Sequence, residues 1–197
     1  MINNINKSRV KGKNKGIFFV IGFIVLIFIL LFLIQMLNEK EKNTSGLQPG
    51  TKAPEFKLQS TQGDIALKDF KDKNVVLYFY EGNNCQACID QLEELNNNLD
   101  KFEKLNAVVV AAVTDPLKYS QEVADEKDIK IPIMYDPNHQ LGDKYGVYNV
   151  PGGMDMGPVD THSVFVIDKD GSVKWKEISV DDMYVPLKSI LNELENL

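Results

Sequence analysis

The sequence predicts an α/β domain, a mixed sheet flanked by helices, behind one N-terminal transmembrane helix. Three observations carry this. Residues 17–37, from Ile17 to Leu37, run without a charge, long enough as a helix to cross the hydrocarbon of a bilayer. Beyond residue 47, apolar runs of strand length alternate with stripes of three-to-four spacing. The chain closes on two strand-like runs joined by Asp168-Lys169-Asp170-Gly171, a hairpin signal that makes an otherwise parallel sheet mixed.

The first sixteen residues carry Lys7, Arg9, Lys11, Lys13 and Lys15 and no acid. A basic arm before the apolar run puts the N-terminus in the cytoplasm and everything after residue 38 outside, in a single-pass arrangement. A cleaved signal peptide is the alternative, but Ile34-Gln35-Met36-Leu37 lacks the small residues of a cleavage site. The expected organisation is a cytoplasmic arm (1–16), a signal anchor (17–37), a polar Gly/Pro-punctuated linker (38–50) and an α/β domain (47–197). The formal net charge is −6, and −11 once the arm is set aside. An acidic domain excludes nucleic acid as the main partner.

Within the domain, Phe56-Lys57-Leu58 and Ile65-Ala66-Leu67 read as a hairpin turning at Gln62-Gly63-Asp64. Asn74 to Tyr80 is nearly continuously apolar, as in a strand covered on both faces. Ile89, Leu92, Leu95, Leu99 and Phe102 predict one helix from Gln86 to Phe102. Ala107 to Val113 is a second buried strand. Asp115-Pro116 opens a helix to about Asp128. Pro132 places the strand Ile131–Tyr135 at an edge or end. Asp136-Pro137-Asn138 caps a helix reaching Tyr145, and a long loop follows to Thr161. Ser163–Ile167 and Ser172–Glu177 form the closing hairpin, with Trp175 a strand residue. Asp181-Asp182 leads a C-terminal helix with Leu187, Ile190, Leu191 and Leu194 inward.

The chemistry concentrates in Cys85-Gln86-Ala87-Cys88, which holds both cysteines of the chain. The pair follows a strand and heads a helix, where unpaired N–H groups and the helix dipole stabilise a thiolate. A structural bridge this short would constrain the unfolded chain little. Zinc is excluded by the lack of a second Cys pair and by only two histidines. The expected mechanism has Cys85, the more exposed thiol, attack a partner disulfide, and Cys88 resolve the mixed disulfide. Glu81 is a candidate site-lining proton acceptor. His139 reads as a surface residue.

Gly50-Thr51-Lys52-Ala53-Pro54-Glu55-Phe56-Lys57-Leu58, Leu67 to Lys73, Val75 to Tyr80, Asp136 with Tyr145-Gly146-Val147, and Phe165 to Gly171 together resemble the thioredoxin-like superfamily. More narrowly they resemble the peroxiredoxin-like AhpC/TSA family and the membrane-anchored thioredoxins of cytochrome maturation. The resemblance implies a thioredoxin-like fold, a thiol–disulfide oxidoreductase without a cofactor, and protein thiols or disulfides as partners. By analogy with the cytochrome-maturation proteins, a transmembrane electron carrier is the donor. A peroxidase of this family carries Pro-x-x-x-Thr-x-x-Cys and a distant Arg. Here the Pro position holds Glu81, the Thr position Cys85, the nucleophile position Cys88 and the Arg position His162. A thiol peroxidase using Cys88 is therefore one alternative. The thioredoxin cis-proline also aligns near His162, with Pro158 nearby. Another alternative follows from Val159-Asp160-Thr161-His162-Ser163, which resembles the His stretch of Sco copper chaperones. It implies copper on Cys85, Cys88 and His162, with Met154 and Met156 at hand.

Overall fold

The computed structural model describes residues 14–44, 46–152 and 157–197. The basic arm up to Lys13, and Met154 and Met156, lie outside the described residues. The chain divides into two compact units, Met1–Thr44 and Ser45–Leu197. In the first, helix α1 (Asn14–Thr44) contains the stretch Phe18–Gln35, of mean hydropathy 3.1 and with none of it buried. Among the described residues it is the one helix long and apolar enough to cross a membrane.

The second unit is built on a seven-stranded sheet of order β2-β1-β5-β4-β3-β6-β7. The strands are β1 (Lys57–Ser60), β2 (Gly63–Ala66), β3 (Asn74–Phe79), β4 (Ala107–Val113), β5 (Ile133–Tyr135), β6 (Ser163–Ile167) and β7 (Val173–Ile178). β3, β4 and β5 are parallel, with Val76 opposite Val109 and Ala112 opposite Met134. β6 and β7 close one side antiparallel, and the β1–β2 hairpin the other. The expected mixed α/β sheet is present.

Alternation along β3 divides the core. Val76, Tyr78 and Tyr80 face a layer made by α2 (Gln86–Asn96), α3 (Leu99–Lys104), α4 (Leu117–Lys127) and α6 (Leu187–Glu195). Val75, Leu77 and Phe79 face the opposite layer, with Leu141 and Tyr145 of α5 (Gln140–Tyr145) and the 3-10 turn at Leu67–Phe70. Every β3 residue from Val75 to Phe79 is buried, which is why the run shows no polar alternation.

Several boundaries differ from expectation. The predicted helix Gln86–Phe102 is two helices, broken at Asn97-Asn98. The Asn98 amide donates to the Glu94 carbonyl, and Asn96 pairs with the backbone of Asp128 and Lys130. These side chains compete with helical backbone bonding. The C-terminal helix starts at Leu187, behind Pro186, rather than at Asp181-Asp182. β5 is an interior strand, and of the two expected placements of Pro132, edge or end, the structure has the end. Pro132 lies just outside it, and its carbonyl accepts from the Ala111 N–H. Trp175 is half-buried against the helical layer.

Asp136 does cap α5, its Oδ2 accepting from the N–H groups of Leu141 and Gly142 at 2.8 and 3.1 Å. His139 departs from the surface reading. Its Nδ1 lies 3.0 Å from Oδ1 of the buried Asp160, and its ring packs on Tyr148 at 4.3 Å between centroids. A Cβ at Gly142 would overlap the Asp160 carboxylate. We predict that Gly142→Ala lowers stability by about 1–3 kcal/mol through overpacking, measured by urea unfolding; an unchanged midpoint would show that Asp160 can move aside.

Candidate functional site

The parallel register carries β3 to the carboxyl edge of the sheet. The loop from Glu81 to Asn84 then reverses the chain into α2. Asp115 at the end of β4 fastens this loop: its Oδ2 accepts from the Asn83 N–H at 2.6 Å. The Asn83 side chain takes a bond from the Tyr80 hydroxyl (2.9 Å) and gives one to Ser120 Oγ (3.2 Å). The Cys85 N–H closes the turn onto the Gly82 carbonyl at 3.1 Å.

Cys85 is the N-cap of α2, and its Sγ accepts from the Cys88 N–H at 3.2 Å. Sulfur thus does what a Ser or Asp oxygen does at most N-caps. Cys85 and Cys88 are joined as a disulfide, with their Cα atoms 5.2 Å apart. Cys88 is fully buried and Cys85 is 7 % exposed. Cys85 is thus the more exposed of the two, as expected, though only slightly so: Met183 lies on it, Sδ to Sγ 3.7 Å.

His162, immediately before β6, is buried behind the pair. Its ring meets Tyr78 edge-on at 5.0 Å, and the Tyr78 hydroxyl donates to the Cys88 carbonyl at 3.0 Å. Gln91 fixes the tautomer. Its Oε1 accepts from the Val185 N–H (2.7 Å) and its Nε2 donates to the Val185 carbonyl. His162 Nε2, 2.8 Å from the same Oε1, must therefore carry a proton. Nδ1 is then the unprotonated nitrogen, 3.4 Å from the Tyr78 hydroxyl. Burial lowers the His162 pKa from 6.5 to about 3, so the ring is neutral at physiological pH. Glu81 is half-buried. Burial raises its pKa, and a hydrogen bond from the His162 backbone opposes the rise.

The structure therefore brings Cys85, Cys88, Glu81 and His162 into one neighbourhood. It does not assemble the alternative copper set. Both His162 nitrogens face protein partners, and among the described residues no three His, Cys, Asp or Glu side chains are placed to hold a metal ion. Pro158 is exposed and stands apart from β6. Sequence reading missed Tyr78, Gln91, Asp115 and Met183. Gln91 had a signal: it follows Cys88 by three on the inward stripe, a polar residue where an apolar one is expected. Met183 had none, because its contact is 98 residues away along the chain.

The AhpC/TSA family profile matches residues 49–176. The chain belongs to the AhpC/TSA family. Peroxiredoxin Bcp of Bacillus subtilis is 25% identical over 141 residues, covering 69% of this chain and 89% of that protein. A putative peroxiredoxin bcp of Helicobacter pylori is 30% identical over 129 residues, covering 64% and 84%. Among solved structures, peroxidoxin BcpB of Mycobacterium tuberculosis superposes with a TM-score of 0.68 at 21% identity, covering 77% of this chain and 98% of that one. The domain thus has the thioredoxin-like peroxiredoxin fold. Family membership together with the dithiol makes the protein a thiol-based oxidoreductase, whose sulfur chemistry uses no bound cofactor.

The neutral His162 links stability to pH. Its folded pKa lies below its unfolded value, so the folded state excludes a proton that the unfolded state binds. Stability is full above pH 6.5 and is lost as pH falls toward about 3. His162→Gln keeps a polar side chain but cannot take up the proton. The stability of the variant relative to the parent should rise by about 1.4 kcal/mol per pH unit below pH 6.5, measured by denaturant unfolding; a difference independent of pH would mean that His162 protonates in place.

Proposed function

We propose that the domain exchanges disulfides with protein thiols through Cys85 and Cys88. One observation supports this most: sulfur occupies the place where the family's peroxidases hold a hydroxyl. A peroxidase of this family uses that Thr hydroxyl and an Arg to polarise the O–O bond. Here the hydroxyl position is Cys85, the Arg position is a neutral His162, and the sole arginine of the chain, Arg9, precedes the apolar run. What remains is a dithiol at a helix N-terminus, suited to exchange.

In the reductive direction, the Cys85 thiolate attacks one sulfur of a partner disulfide, the partner's other sulfur leaving as thiolate. The Cys88 thiolate then attacks Cys85 Sγ. The Cys85–Cys88 bond forms, the partner's second thiolate leaves, and two electrons have passed to the partner. The Cys88 N–H stabilises the attacking Cys85 thiolate, and the first turn of α2 stabilises Cys88 whenever it leaves. An external dithiol resets the pair by the reverse steps.

The second reading is a thiol peroxidase, and the comparisons favour it over exchange, since the relatives named above are peroxiredoxins or peroxidoxins. On that reading the Cys88 thiolate attacks a peroxide oxygen, the O–O bond breaks, and water or an alcohol leaves. The Cys85 thiolate then displaces hydroxide from the Cys88 sulfenic acid, giving the same disulfide. Both readings share the Cys85–Cys88 disulfide and its reduction by a dithiol, and they differ in the oxidant.

We further propose that α1 anchors the protein in a membrane, with the basic arm cytoplasmic and the α/β domain outside. The apolar stretch Phe18–Gln35 and the charges before it support this. A membrane carrier of dithiol electrons would then be the reductant. Protease protection of intact cells against lysed ones tests the orientation.

Side-by-side oxidation of the reduced full-length protein decides between the readings. We expect disulfide substrates such as insulin to turn over with dithiol supplied, and hydrogen peroxide to react at an ordinary thiol's rate. Peroxide oxidation of Cys88 faster than a free thiol by about 10³ or more, a gain of general-catalysis size, without insulin turnover, would replace exchange with peroxidase.

A further inference from the structure

Between β7 and α6 the chain crosses the site as a strap, residues 179–186. Ser179 starts it, its N–H donating to the His162 carbonyl at 2.9 Å. Val180, Met183 and Val185 are buried, while Tyr184 stands 42 % exposed, its hydroxyl 3.3 Å from Glu94 Oε1. Met183 has φ +46°, the left-handed region that a side chain of this kind avoids. Its thioether lies 3.7 Å from Cys85 Sγ. Gln91 is a latch of the strap: it holds both the N–H and the C=O of Val185 while accepting from His162.

Exchange at Cys85 needs an incoming thiolate to reach Sγ. Cys88 is sealed, and Cys85 keeps only 7 % of its surface exposed, with Met183 against its Sγ. We propose that residues 179–186 are a lid on the redox pair, and that Met183 sets which thiols reach Cys85. This deepens the exchange reading and rests on it. In the closed state a protein dithiol meets the strap, not the sulfur. Reaction waits for a local opening in which the two Gln91–Val185 bonds break and Met183 swings away, a smaller event than unfolding of the sheet. A partner thiolate bonds to Cys85 Sγ, Cys88 leaves with the electron pair, and the partner's second thiolate then releases Cys85 and becomes the partner's disulfide.

Shielding by bulk, rather than thioether chemistry, gives a specific pattern. In the oxidised full-length protein, reduction of Cys85–Cys88 is followed by alkylation and mass shift, with reduced thioredoxin and with dithiothreitol as probes. Met183→Ala should raise the thioredoxin rate about tenfold or more, because closed molecules then react without opening. Met183→Leu, of similar volume, should stay within about twofold of the parent. In the parent, the Val185 amide should exchange hydrogen faster than the Leu77 amide of central strand β3, through local opening. Equal rates for parent and Met183→Ala, or Val185 exchanging only together with Leu77, would overturn the lid. Those results leave exchange intact. If neither probe reduces the bond even in Met183→Ala, the exchange reading fails and the lid fails with it. The amide measurement on the parent stands should Met183→Ala not fold.

Discussion

A sulfur atom caps a helix in this protein, and the site is arranged around that fact. Cys85 ends the loop from β3 and accepts the N–H of Cys88, the third residue of α2. One geometry thereby fixes the direction of α2, holds the two sulfurs together and provides the charge stabilisation a thiolate needs. The sheet supports it from below. β3 sends Tyr78 and Tyr80 to the same face, one to the Cys88 carbonyl and the other to the loop at Asn83. Asp115, just beyond β4, ties that loop down. The parallel pairing of β3 with β4 is what brings these groups to one edge.

On the register that the resemblance implies, sulfur and a neutral imidazole fall where the family's peroxidases hold polar catalytic groups. His162 would then take the place of a guanidinium, but burial keeps it uncharged, and its one N–H serves Gln91. It thus props the strap through Gln91 and lies against Tyr78, rather than offering positive charge to a substrate oxygen. Glu81 adds no cation either. The loss of polarising groups and the gain of a second thiol point in one direction, and the whole-domain similarity to peroxiredoxins points in the other. A domain can keep its family's fold while its site changes, because the sheet and helices depend on apolar burial and the chemistry on four or five side chains.

Much of this was legible in the sequence. The buried strands were visible because β3 and β4 are covered on both faces. The strand–helix position of Cys85 and Cys88 followed from a switch in apolar period. Local signals failed where side chains outbid the backbone: the Asn96-Asn97-Asn98 run ended α2 early, and Pro186 delayed α6. The second half of the site was harder. Asp115, His162, Val185 and Met183 reach the cysteines only through sheet register and chain crossing, which single-sequence periodicity does not encode. The cover beside Cys85 is invisible for the same reason, since it comes from a segment beyond the last strand. His139 reads as a surface residue from sequence because its partner, Asp160, lies 21 residues away along the chain.

The exchange reading has Cys85 attack the partner and Cys88 resolve, and trapping the intermediate separates the two roles. Cys88→Ser, incubated reduced with insulin, should accumulate a mixed disulfide mapped by mass spectrometry to Cys85, while Cys85→Ser should accumulate none. A mixed disulfide on Cys88 alone, or none on either variant together with rapid peroxide-dependent sulfenic acid at Cys88, would contradict it.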